Sequence, residues 1–142
     1  TYFLQSSPNH TITNPGDSRD SITVTAYNDR DGSLYLEASR GYLPNSYVKP
    51  DLAAPGVMLI GPASGNRYVQ RSGTSVASAL TAGAVALLME WAVVRGNAPY
   101  LNGTSAKHYL TRGAVREEGE NYPNPDWGYG KLDLYRVFEL LT

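Results

Sequence analysis

Cysteine is absent from the 142 residues. That excludes disulfides, thiolate metal sites and a cysteine nucleophile, without fixing a redox compartment. Neither sign of charge is in excess: 12 basic side chains stand against 13 acidic ones, a formal net charge of −1. A nucleic-acid partner or a polybasic membrane contact therefore has no electrostatic footprint here. The longest uninterrupted apolar run, residues 82–89, is far shorter than the about 20 residues a spanning helix needs, so no membrane association is expected. No internal repeat, phosphate-cradling glycine loop, zinc-ligand set or glycosidase-like carboxylate pair stands out. Histidine is scarce, His10 and His108 being the only two. The chain starts at Thr1 and carries no signal-like segment, which suggests a processed or cut start with targeting information lost upstream.

What is present is globular: 42% hydrophobic and 18% charged residues, a length and composition suited to one compact domain. Residues 5–20 are rich in turn formers and read as a loop. Residues 21–27 read as a strand, 34–38 as a second, 57–61 as a third and 66–72 as a short fourth. Between them, residues 48–56 read as irregular because of Pro50 and Pro55. The strongest helix expectation is 75–95, apolar or small on nearly every face and closed by Gly96. Such a helix is a buried one. A shorter amphipathic helix ending at Gly113 follows, then a loop over 115–131. A closing helix, capped by Asp133, puts Leu134, Val137, Phe138 and Leu141 on one face. Strands with a central buried helix give an α/β layered class.

The segment with chemical character is Ser-Gly-Thr-Ser-Val-Ala-Ser-Ala-Leu-Thr-Ala-Gly, residues 72–83. It sets Ser75 at the mouth of the long helix, where unpaired N–H groups and the helix dipole favour negative charge. Gly73 allows close backbone approach, and Thr74 adds a hydroxyl. These are the needs of an acyl-transfer nucleophile with an oxyanion site beside it. On local physics alone, Ser75 or Thr74 as a simple helix cap is the more natural reading, because Ser and Thr are the usual caps.

The same segment resembles the nucleophile region of the subtilisin-like serine proteases, G-T-S-x-A-x-P-x-x-A-G. Gly73, Thr74, Ser75, Ala77, Ala82 and Gly83 match, while Ala79 replaces the usual proline and Leu80 a frequent histidine. Lys49–Val57, Gly65–Ser75, Asn14–Asn28 and Trp127–Phe138 are similar, in the family's order, to its remaining C-terminal segments. Residues 72–83, with the stretches that follow them up to Arg116, also resemble the clostridial Csp-type germination branch, where alanine at the proline position is ordinary.

This resemblance implies that residues 1–142 form the C-terminal part of a subtilisin-like peptidase domain, a three-layer α/β fold with the nucleophile at the N-terminus of its central helix. Ser75 would be nucleophile and one oxyanion N–H donor, with Thr74 supporting the oxyanion. Thr13, Asn14 and Gly73 would contact substrate, and the Asn14–Pro15 bond would be cis. Asp51 is the weak candidate for a structural calcium, joined by backbone oxygens of Gly16, Ser18 and Ser21. The neighbouring Lys49 ammonium is the alternative occupant, and no cofactor is required. The family's Asp, its H-G-T-H histidine and its oxyanion asparagine belong upstream, and neither His10 nor His108 fits the base. The implied partners are the N-terminal part of the domain and a peptide or protein substrate, in a secreted or spore-associated setting. Two other readings stay open: a pseudoprotease with a sensing or scaffolding role, and an autonomous small binding domain, which the all-round apolar helix disfavours.

Overall fold

The computed structural model describes residues 5, 7–44 and 47–142. Two strands, β1 (Val24–Tyr27) and β2 (Leu52–Pro55), pair in parallel, with Val24 opposite Leu52 and Tyr27 opposite Pro55. A hairpin, β3 (Leu59–Ala63) and β4 (Arg67–Arg71), pairs antiparallel. Gly65 and Asn66 turn it with φ of 80° and 52°, the positive values a tight hairpin turn requires. Then come α1 (Thr74–Met89), a π-helical turn (Glu90–Val94), α2 (Gly103–Arg112) and α3 (Leu134–Leu141).

Three expectations in this region are corrected. Residues 34–38 do not form a strand: Leu34 makes a single bridge to Tyr27 and Leu36 is 86% exposed. The Tyr35 N–H donates to the Ala26 carbonyl at 2.9 Å, and among the described residues the pairing to β1 goes no further. Residues 48–56, expected to be irregular, contain β2. Its Leu52, Ala53 and Ala54 are fully buried, and Pro55 stands at the strand's end, where a missing N–H is tolerated. The third strand begins at Leu59, since Met58 turns with φ of 53°.

The long helix follows expectation through Met89 and continues as the π turn, with Gly96 closing the segment at φ 79°. Its burial is one-sided. Ala77, Thr81, Ala84 and Leu88 are buried toward β1 and β2. Leu80, Leu87, Val93 and Val94 are exposed to 40%, 59%, 40% and 79%. The helix is therefore apolar all round but covered on one side by the described residues. By length and composition, Thr74–Val94 is also apolar enough to cross a membrane. Ser75, Ser78 and Thr81 interrupt the apolar run without making the helix polar, so the longest uninterrupted run understates its apolar length. One side of it packs against β1 and β2.

The main core joins Leu52 and Leu88 to Ala92, Leu101, Ala106, Leu110, Ala114 and Val137, so α2 and α3 close over the far end of α1. A second, all-alanine cluster of Ala26, Ala54 and Ala77 lies where α1 begins. Asn102 and Ser105 form a capping box on α2, and Asp133 caps α3 through the Arg136 N–H, as its sequence suggests.

Candidate functional site

Small side chains decide where α1 starts. With Ala26, Ala54 and Ala77 in contact, helix and strands approach more closely than branched residues permit. Gly56 follows β2, and its N–H donates to the Tyr27 carbonyl at 3.0 Å. The Gly56 carbonyl in turn accepts the Gly73 N–H at 2.7 Å. Gly73 is the N-cap, at φ 145°, where an L side chain is strained. Thr74 and Ser75 thus sit in the first turn at the carboxyl end of a parallel strand pair, where ligands of α/β folds bind.

A Cβ at Gly56 would lie 2.7 Å from Ala26 Cβ, 2.8 Å from the Gly73 carbonyl and 3.1 Å from Ala77 Cβ. Gly56→Ala is therefore expected to destabilise by about 1–3 kcal/mol through overpacking, read by chemical denaturation. Because the displaced group is the α1 N-terminus, the reactivity of Ser75 should fall as well. Loss of stability with full reactivity would show that the strain relaxes elsewhere.

Ser75 is exposed and Thr74 half-buried. Thr74 and Ser75 N–H groups come before the helix's own acceptors, and no side chain caps them. That disposes of the simple-cap reading for both hydroxyls. Among the described residues none hydrogen-bonds Ser75 Oγ, and none of them stands to it as a base. His10 is exposed at φ 59° and its Nδ1 meets the Tyr42 carbonyl. His108 is exposed on α2 and packs edge-on to Tyr109. Neither serves Ser75.

Two cavities adjoin this corner. One, about 550 Å³, lies between the hairpin and α1 and is lined by Leu59, Val69, Ser75, Val76 and Leu80 among others. The other, about 150 Å³, runs from Thr74 to the Thr13–Gly16 turn. In that turn the Gly16 N–H donates to the Thr13 carbonyl at 2.8 Å, and the Asn14–Pro15 bond is cis, as the resemblance implies. Thr13 and Gly16 line the cavity, whereas Asn14 is exposed and is not part of its wall.

Asp51 is buried to 1% exposure and is held by two lysines. Lys49 Nζ donates to Asp51 Oδ2 at 2.7 Å, to the Ser21 carbonyl at 2.8 Å and to Thr23 Oγ1 at 3.0 Å. Lys107 Nζ reaches Asp51 Oδ1 at 2.7 Å and the carbonyls of Arg19 and Ser21 at 3.0 and 3.2 Å. The Thr23 N–H also donates to Asp51 Oδ2 at 2.7 Å. The oxygens that a calcium would need at Asp51 and Ser21 are bound to ammonium groups. Gly16 and Ser18 carbonyls accept the hydroxyls of Thr23 and Ser21 instead. This donor set fits the Lys49 alternative and does not fit a calcium. Burial pushes the Lys49 ammonium below its ordinary pKa; Asp51 opposes the shift and Lys107 adds to it. The sequence reading named Lys49 and missed Lys107, which arrives from α2 with no local signal linking it to Asp51.

The Subtilase family model (Peptidase_S8) matches residues 4–130. Among curated proteins, the chain is 36% identical over 137 residues to the subtilisin-like protease SBT6.1 of Arabidopsis thaliana, covering 92% of this chain and 13% of that protein. It is 36% identical over 138 residues to the human membrane-bound transcription factor site-1 protease, covering 93% and 12%. Among solved structures it superposes on the Clostridium perfringens CspB protease with a TM-score of 0.94 at 41% identity, over 99% of this chain and 31% of that one. The Csp-type likeness of the sequence agrees with this neighbour. The chain spans about an eighth of the curated relatives and under a third of the CspB chain.

Proposed function

The chain belongs to the subtilase family, and on that premise we propose that it carries the nucleophilic part of a serine endopeptidase site. Ser75 attacks the peptide carbonyl, and its own N–H, in the first turn of α1, donates to the oxyanion with Thr74 supporting it. An acyl-enzyme forms on Ser75 Oγ, the amine leaves, and water releases the acid. The observation that carries this reading is Ser75, exposed at a rigidly seated helix N-terminus with no hydrogen-bond partner of its own among the described residues.

The base, its orienting carboxylate and the oxyanion asparagine come from an N-terminal part of the domain, joined covalently or as a second chain. A serine hydroxyl without a base is a weak nucleophile at neutral pH. The exposed apolar side of α1 and the cavity beside Ser75 offer that part a seat, because Leu80 and Leu87 otherwise face water. The site calls for no cofactor: acyl transfer on serine uses side chains and backbone dipoles alone. Thr13, Asn14 and Gly73 meet the substrate. The Csp-type likeness supports a secreted or spore-associated setting.

A fluorophosphonate probe tests the reading, with the adduct mapped by mass spectrometry and the sample scanned for a second polypeptide. Labelling at Ser75 is expected wherever the Asp- and His-bearing part is present. No labelling with that part present would favour a pseudoprotease role.

A further inference from the structure

The Thr13–Gly16 turn is fastened to the rest of the fold through Thr23, the residue before β1. Its other backbone bonds are local: the Gly16 N–H donates to the Thr13 carbonyl at 2.8 Å and the Ser18 N–H to the Pro15 carbonyl at 3.2 Å. Among the described residues, the hydrogen bond that ties the turn to the strands is the one from Thr23 Oγ1 to the Gly16 carbonyl, at 2.6 Å. The Thr23 methyl lies against the same glycine, 3.3 Å from where a Gly16 Cβ would stand.

Proton accounting gives that bond its direction. An ammonium only donates, so Thr23 Oγ1 accepts from Lys49 Nζ at 3.0 Å and keeps its single proton to give. Ser21 Oγ, 3.1 Å from Thr23 Oγ1, spends its own proton on the Ser18 carbonyl, and the Gly16 carbonyl is the nearer acceptor for Thr23. The charge of Lys49 polarises the Thr23 hydroxyl and strengthens what it donates. Thr23 itself cannot drift: its N–H donates to Asp51 Oδ2 at 2.7 Å, and its carbonyl accepts the Asp51 N–H at 2.7 Å. Lys49 and Asp51 are exposed to 0% and 1%, so the anchor is as fixed as the core. Resting on the protease reading, in which Thr13 meets the substrate beside Ser75, we propose that Thr23 is a positioning residue for the reaction. Through one hydroxyl it carries the fixed position of the buried Lys49–Asp51 pair to Gly16. It thereby holds Thr13 where a peptide bound at Ser75 touches it.

Two kinds of probe test this on the assembled protease. A simple fluorophosphonate needs Ser75 and its base but not the turn, whereas a peptidyl phosphonate needs all three. The peptidyl probe is the fastest of a tripeptide set ending in alanine, leucine, arginine or glutamate. Thr23→Val keeps the side chain's shape and removes its proton. It should take up the peptidyl probe about tenfold more slowly, with its simple-probe rate within about twofold of the unaltered protein. Thr23→Ser keeps the hydroxyl and should hold both rates within about threefold. An unchanged ratio of the two rates in Thr23→Val overturns the proposal, as does a Thr23→Ser variant that loses as much as valine. Should Thr23→Val lose both rates together, its fold is lost, and Thr23→Ala, smaller and open to water, is held to the same two outcomes. If the unaltered protein takes up no peptidyl probe faster than the simple one, the turn is no substrate contact and the positioning role fails alone. If the simple probe does not label Ser75 at all, the nucleophile reading fails and takes the role of Thr23 with it.

Discussion

Ser75→Ala is expected to lower peptide-bond turnover by the assembled protease by about 10⁴- to 10⁶-fold and to leave the fold as stable as before. The two halves of that statement have separate physical grounds. The chemical half follows from the covalent step: without Oγ there is no acyl-enzyme, and only substrate positioning and the oxyanion donors remain. The structural half follows from position. Ser75 is the second residue of α1, exposed, with Gly73 rather than Ser75 at the cap. Alanine is the best helix former, and no hydrogen bond is lost with the hydroxyl. Denaturation midpoints of the two proteins should therefore agree within about 0.5 kcal/mol. Were Ser75 instead a structural cap, alanine would cost about 1 kcal/mol and turnover would survive. The pairing of a large kinetic loss with no stability loss is the signature that distinguishes the nucleophile from a helix-capping serine.

The corner proposed to be nucleophilic was legible because it is local. Gly73, Thr74 and Ser75 are consecutive, and the small residues after them announce a helix seated close to its neighbours. The positions of α2 and α3 were legible for a similar reason, since Asp133, Gly113 and the apolar spacing of Leu134, Val137 and Phe138 are read within a few residues. What was hidden depends on pairing across the chain. Leu52–Pro55 is a strand because β1 lies beside it, and flanking prolines concealed that. Leu34–Ala38 has strand-like composition, yet Leu34 alone finds a bridge. One-sided burial of α1 was invisible for the opposite reason: an all-apolar helix does not say which of its faces this stretch of chain will cover. Gly56 gave no signal as a positioning residue, because what makes it necessary is the Gly73 carbonyl and the alanines around it.

The buried lysine pair carries the second large effect. Asp51→Asn keeps the side chain's size but removes the carboxylate that, among the described residues, bonds both Lys49 and Lys107. Two ammonium groups are then left at one buried locus, and breaking a buried pair from one side costs about 3–5 kcal/mol. The loss should depend on pH with a definite sign. Lys49 holds its proton less tightly in the folded protein than in the unfolded chain, because burial disfavours the charge. Between the two values the unfolded chain binds more protons, so stability rises with pH across that window. Asp51 is the group that opposes the depression, so its removal extends the window downward from the ordinary lysine value. The deficit of Asp51→Asn, measured by chemical denaturation, is thus expected to be largest near neutrality and to shrink as pH approaches about 10. Adding Lys49→Met to Asp51→Asn should restore part of the loss at neutral pH, because the most deeply buried ammonium is then gone. A deficit independent of pH would instead assign Asp51's contribution to its bond with the Thr23 N–H. Since Thr23 also donates to the Gly16 carbonyl at 2.6 Å, loosening this knot reaches the Thr13–Gly16 wall.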